Sequence, residues 1–125
     1  FIGGRLARRL AAAGHTLTTL VRDPSRAQDL EALGVTLAKG DVTDRQSLYK
    51  PMEGADGVFH VAGWYKLGRR NAAACERVNV EGTRNVLEVM KETGVPKGVY
   101  TSSLAVFRTR TASCRTRRTA TTGRT

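Results

Sequence analysis

Hydrophobic positions along this chain follow two alternating rhythms. Leu6, Leu10 and Ala13 recur at i, i+4 and i+7 with arginines between them, which predicts a helix over residues 3–13 closed by Gly14. Thr16–Val21 is short and β-branched, the pattern of a strand. Asp23-Pro24 opens a second predicted helix, Pro24–Leu33, with proline at a first position that needs no amide donor, and Gly34 closes it. Val35–Ala38 reads as the next strand, and Thr43 or Asp44 caps a short helix running to Lys50. Gly54–Gly57 is a turn. Val58–Ala62 is an apolar run of strand length, which suits a strand buried on both faces. A loop with Trp64, Tyr65 and Gly68 follows. Ala72–Thr93 is the longest predicted helix, with Val78, Leu87, Val89 and Met90 among its apolar positions; Gly94 and Pro96 end it, and Gly98–Ser102 is the last strand.

Helices and strands therefore alternate from one end of this pattern to the other. Such alternation implies an α/β fold with a parallel sheet and right-handed crossovers. The pattern opens on a helix, so the expectation is a doubly wound sheet lacking its first strand. In the usual strand order that strand is central, and its two neighbours would face each other with unpaired N–H and C=O groups. Phe1 stands where a methionine would begin a complete chain, which points the same way.

Composition changes the picture mainly at one end. The net charge is +10, but six of the 21 basic residues and none of the 11 acids lie in residues 108–125, leaving +4 for residues 1–107. The same 18 residues hold no Leu, Ile, Val or aromatic residue, so they cannot build a core. The organisation expected is a folded unit over 1–107 and a basic, disordered tail over 108–125. Read one base earlier, that tail is compatible with a string containing acids and apolar residues, so an out-of-frame origin is one reading and a nucleic-acid-binding arm another. No apolar run approaches membrane-span length, and the two cysteines, Cys75 and Cys114, have no metal-ligand spacing. A cytoplasmic protein with reduced thiols is expected, with no metal, no membrane contact and no dominant nucleic-acid role.

Motifs in order carry the chemistry. Phe1-Ile2-Gly3 precedes the first helix, Arg22-Asp23-Pro24 follows the first strand, Gly40-Asp41-Val42 follows the second, and Phe59-His60-Val61-Ala62-Gly63 ends the third. Asn79-Val80-Glu81-Gly82-Thr83-Arg84-Asn85 lies in the long helix, and Tyr100-Thr101-Ser102-Ser103 ends the last strand. Over residues 1–107 this set resembles the extended short-chain dehydrogenase/reductases, the epimerase/dehydratase group that includes dihydroflavonol 4-reductases. The resemblance implies a Rossmann-type fold lacking a C-terminal substrate domain here. It implies cofactor contacts from Phe1, Ile2 and Gly3 at the end of the glycine fingerprint, with Gly3 allowing close helix–sheet packing. It further implies that Asp41 accepts from the adenine amine with help from the Val42 backbone, and that Val61, Ala62 and Gly63 let the backbone approach the ribose and nicotinamide.

An arginine at position 22 suits a 2′-phosphate, because its planar fork pairs with phosphate oxygens; an acid there would favour NAD. With Arg26 as an assistant, the expected cofactor is NADP rather than NAD. The bland reading of Arg22 is a solvated partner of Asp23, and that of Asp41 an ordinary acid at the start of a helix. Asn79 would order the active site through backbone hydrogen bonds, and Ser103, or else Ser102, would hold the substrate oxygen. His60 reads as a hydrogen-bonded core residue. The family's Tyr-x-x-x-Lys pair is absent: Tyr49, Tyr65 and Tyr100 are followed four residues later by Glu53, Arg69 and Leu104. The expected function is thus the NAD(P)-binding part of an oxidoreductase or epimerase moving hydride between nicotinamide and a small carbonyl or alcohol, sugar-nucleotide or flavonoid-like, but inactive by itself. A non-catalytic NADP sensor and a nucleic-acid module built on the tail are the alternatives.

Overall fold

A computed structural model describes residues 1–66 and 69–103; the expectations on Gly68 and on the tail lie outside the described residues. The elements are α1 (Ile2–Ala12), β1 (Thr18–Val21), a 3-10 turn (Pro24–Arg26), α2 (Gln28–Glu31), β2 (Thr36–Lys39), α3 (Gln46–Met52) and β3 (Val58–His60). A 3-10 turn (Arg69–Asn71) then leads into α4 (Ala72–Cys75), a π-helical segment (Glu76–Glu81), α5 (Gly82–Thr93) and β4 (Gly98–Tyr100). No helix among the described residues is long and apolar enough to cross a membrane.

The strands form two parallel pairs. In one, Thr18 lies beside Thr36 and Val21 beside Lys39; in the other, Val58 lies beside Gly98 and His60 beside Tyr100. Among the described residues no ladder joins β1–β2 to β3–β4. Helices give the halves a common support. Leu20 of β1 and Val58 of β3 both pack on one cluster built from α3, α5 and their flanks: Val42, Leu48, Met52, Val86, Val89, Met90 and Val95. A second cluster of Ala7, Ala27, Leu30 and Val35 lies on the other side of β1–β2, under α1 and α2. Exposed charges stitch the helix layers. Arg45 pairs with Glu88 and Glu92, and Arg8 with Asp29. Exposed pairs of this kind contribute little to stability, because solvent screens them.

Three elements depart from the sequence expectation. The helix foreseen over 24–33 is two short pieces, because the Asp23 carboxylate accepts from Ser25 N (3.1 Å) and Ser25 Oγ (2.7 Å), tightening the first turn into a 3-10 turn. Ala27 then leaves helical geometry at φ −129° and turns into the core. The strand foreseen over 58–62 stops at His60 and is not buried on both faces. Its Phe59 is 47% exposed beside an equally bare Val99, because no described helix covers that side. The long helix carries a π-helical segment. Immediately after it, Gly82 meets Val42 so closely that an added Cβ would lie 2.7 Å from Val42 Cγ2. The helix ends as expected at Gly94, whose φ of 74° is the left-handed conformation glycine adopts without cost.

Candidate functional site

Parallel pairing puts the C-terminal ends of β1 and β2 side by side, and likewise those of β3 and β4. In open α/β sheets ligands bind beyond those ends. Arg22, Asp41, Val61 and Ser102 each lie within two residues of a strand's last residue, so the topology gathers the sequence motifs on carboxyl ends. The start of α1 comes to the same edge: a Cβ at Gly3 would lie 3.9 Å from Val61 Cγ1. That is ordinary van der Waals distance, so close packing at Gly3 is not what this structure requires. The tight approaches are at Gly40, where an added Cβ would lie 2.6 Å from Ser47 Oγ, at Gly82 and at Gly98.

At the β1–β2 end, Arg22 extends into solvent with its side chain 78% exposed, and its Nε stands 4.0 Å from Asp41 Oδ2. Asp41 Oδ1 is spent on the turn, accepting from Thr43 N and Thr43 Oγ1 at 2.9 Å each. Ser47 Oγ accepts from Asp41 N at 3.1 Å, which steadies the start of that turn. One carboxylate therefore does two things: it shapes the turn with one oxygen and presents the other to Arg22. Arg22 pairs toward Asp41 rather than toward its neighbour Asp23, whose carboxyl is held below the usual range by the Ser25 hydroxyl, then by Ser25 N–H, with smaller contributions from Arg26 and Lys39. Val42 is a different matter. Its side chain is buried in the α3–α5 core and its carbonyl accepts from Asn85 Nδ2 at 2.9 Å. Nothing in the residue types of the Asn79–Asn85 motif announced that bridge; a polar amide inside a helix was the available signal.

At the β3–β4 end, Val61 is half-buried, while Ala62 and Gly63 are exposed. Asn79, within the π-helical segment, grips the loop that follows them. Its Oδ1 accepts from Trp64 N at 2.7 Å, and its Nδ2 donates to Trp64 O at 3.0 Å and to Cys75 Sγ at 3.3 Å. Ser102 and Ser103 are exposed just beyond β4. His60 is only 6% exposed, lies 2.9 Å from Thr83 Oγ1 through Nε2, and stacks on Tyr100 with ring centroids 5.4 Å apart. Burial pushes its pKa below the ordinary value of 6.5, so it stands neutral in the core rather than facing solvent as a base. Phe1 is 94% exposed with the Arg5 guanidinium 4.5 Å over its ring, and Ile2 is 55% exposed. Two open clefts of about 460 and 440 Å³ flank α1, the second reaching Arg26. Phe1, Ile2 and Arg26 of the expected cofactor contacts line them, and Arg22, Asp41 and the serines do not.

Residues 1–123 match the profile of a family described as NAD(P)H-binding. A Synechocystis sp. protein provisionally named dihydroflavonol 4-reductase is 40% identical over 107 residues, covering 86% of this chain and 31% of that protein. The crystal structure of gox2253 superposes with a TM-score of 0.74 at 38% identity, covering 88% of this chain and 33% of its own. A short-chain dehydrogenase/reductase superfamily protein from Agrobacterium tumefaciens, crystallised with NAD, gives a TM-score of 0.73 at 26% identity over 86% of this chain and 31% of its own. The chain thus spans about a third of the length of these relatives. Its parallel pairs, crossover helices and strand-end motifs are those of a Rossmann-like fold, and the chain belongs to the NAD(P)H-binding family.

Proposed function

We propose that residues 1–103 supply the adenosine side, and part of the nicotinamide side, of an NADP-dependent oxidoreductase or epimerase acting on a small carbonyl or alcohol. The observation that carries this reading is the placement of Arg22 against Asp41 across the adjacent ends of β1 and β2, 4.0 Å apart. The fit to an adenine dinucleotide rests on the division of labour within Asp41. With Oδ1 engaged by Thr43, Oδ2 is left to accept from an adenine amine, and Arg22 beside it offers a bidentate fork to a ribose 2′-phosphate. Arg26 supplements that charge. Phe1, Ile2 and Gly3 lie where the first helix begins, and the exposed backbone of Ala62 and Gly63 borders the nicotinamide side.

When bound, the nicotinamide supplies the hydride exchanged with a substrate carbon. The chain's own contribution is positional. Asn79 holds the Trp64 backbone and so fixes the loop leaving β3. The Ser103 hydroxyl, with Ser102 next to it, holds the substrate oxygen. No tyrosine of this sequence has a lysine four residues on, so these 125 residues bind the dinucleotide without turning it over. Trp64, the single tryptophan, gives a direct readout through energy transfer to a reduced nicotinamide. NADPH is expected to bind about tenfold or more tighter than NADH, the worth of one hydrogen bond to a charged group at roughly 1.5–3 kcal/mol. NADPH absorbance is expected to stay constant in the presence of ketone substrates. Equal or absent affinity for the two dinucleotides would defeat the NADP reading.

A further inference from the structure

Register assigns a third cation to the same rim. β1 and β2 run in parallel with Val21 beside Lys39, and partners in a ladder project to one face. Val21 and Leu37 both pack on the cluster under α1 and α2. Lys39, two residues beyond Leu37, therefore leaves the sheet on that face, as does Asp23, two residues beyond Val21. The turn Pro24–Arg26 packs against β2. Arg22, one residue beyond Val21, leaves on the opposite face by the same alternation; its Nε stands 4.0 Å from Asp41 Oδ2. The result is an exposed rim with Arg22 on one side and Arg26 and Lys39 on the other. The Asp23 carboxylate feels the charge of both Arg26 and Lys39. Lys39 ends β2, two residues before Asp41.

We propose that Lys39 is a specificity-determining residue for the ribose 2′-phosphate, closing the phosphate site from the face opposite Arg22. This rests on the NADP reading above and deepens it. A compact ammonium adds charge without the geometry of a guanidinium fork, so it raises affinity for any dianion on the rim, whereas Arg22 sets its orientation. Asp23 opposes both, since it occupies the field of the same cations.

The test compares 2′,5′-ADP with 5′-ADP on the full chain, by isothermal titration at fixed low salt. The two probes share the adenosine and differ only in the 2′-phosphate. Wild type is expected to prefer 2′,5′-ADP. Lys39→Gln is expected to weaken 2′,5′-ADP binding about three- to tenfold, in line with about 1 kcal/mol per charge at an exposed site, while leaving 5′-ADP within about twofold. Lys39→Arg is expected to restore the preference, and Asp23→Asn, which retains the oxygen that caps the turn, to increase it. Circular dichroism confirms that each variant is folded. A Lys39→Gln protein with the wild-type preference would overturn the assignment and leave the NADP reading intact. A wild type that does not discriminate the two probes would overturn both.

Discussion

The two halves of this molecule divide structure from chemistry. Between α3 and α5, with Leu20 of β1 and Val58 of β3 both packed on it, lies a cluster of seven buried residues, among them Leu48, Met52, Met90 and the fully enclosed Val89. Under β1–β2 lie four, two of them alanines, with Leu30 the largest. Yet the cation-rich rim is on the β1–β2 half, outside the thinner core. The comparison teaches that placing these charges needs little burial. Strand ends and one tight turn place Arg22, Asp23, Lys39 and Asp41, while the larger core fixes the frame that the turn joins. The joint between the halves is Val42: its side chain is in the larger core, and Asp41 precedes it.

The largest effect should come from breaking the richer core. Leu48→Ala, at a site 2% exposed, is expected to lower unfolding free energy by about 3 kcal/mol, within the usual range for buried leucines, and Leu30→Ala by about 2 kcal/mol or less. Urea denaturation of both variants checks the contrast; an equal or larger loss at Leu30 would invert it. Next in size is the rim. Arg22→Gln should cost about tenfold in NADPH affinity, leave NADH within about twofold, and change stability by less than about 0.5 kcal/mol, as expected for an exposed side chain. Parallel binding and urea titrations would sharpen the separation of binding from folding; a large stability loss in Arg22→Gln would erase it.

The smallest effect is a pH dependence located in the richer half. His60 has a folded pKa below its ordinary 6.5 because it is buried. The unfolded chain therefore binds more protons in the window below 6.5, and stability rises with pH there. The contribution of neutral His60 is fully present above pH 6.5 and falls away as the pH drops toward the lower folded value. His60→Gln should flatten that slope in urea midpoints measured between pH 7 and pH 5. An unchanged slope would mean that the ring's burial does not govern it.

Much of the architecture was legible in the chain. Apolar positions at i, i+4 and i+7 marked α1, the β-branched run Thr16–Val21 marked β1, and Gly94 marked a helix end, because these depend on neighbours in sequence. The break at Ala27 was not legible. It depends on a local contest that the Asp23–Ser25 hydrogen bonds win, and on a core that draws Ala27 inward. The bare face at Phe59 escaped for a related reason: an apolar run reports that a strand prefers burial, not which neighbour covers it. His60 was readable as a core histidine, but its partner Thr83, 23 residues away, was not.

By itself the sequence determined the alternation of elements, the glycine and proline punctuation, and which residue types stand at the end of each strand. All of these follow from backbone preference and short-range periodicity. Only the tertiary structure decided that Arg22 meets Asp41 rather than Asp23, that Val42 belongs to the core, and that Lys39 joins the rim. Each of those outcomes is set by strand register and by which face a side chain leaves, and register arises only when distant segments pair.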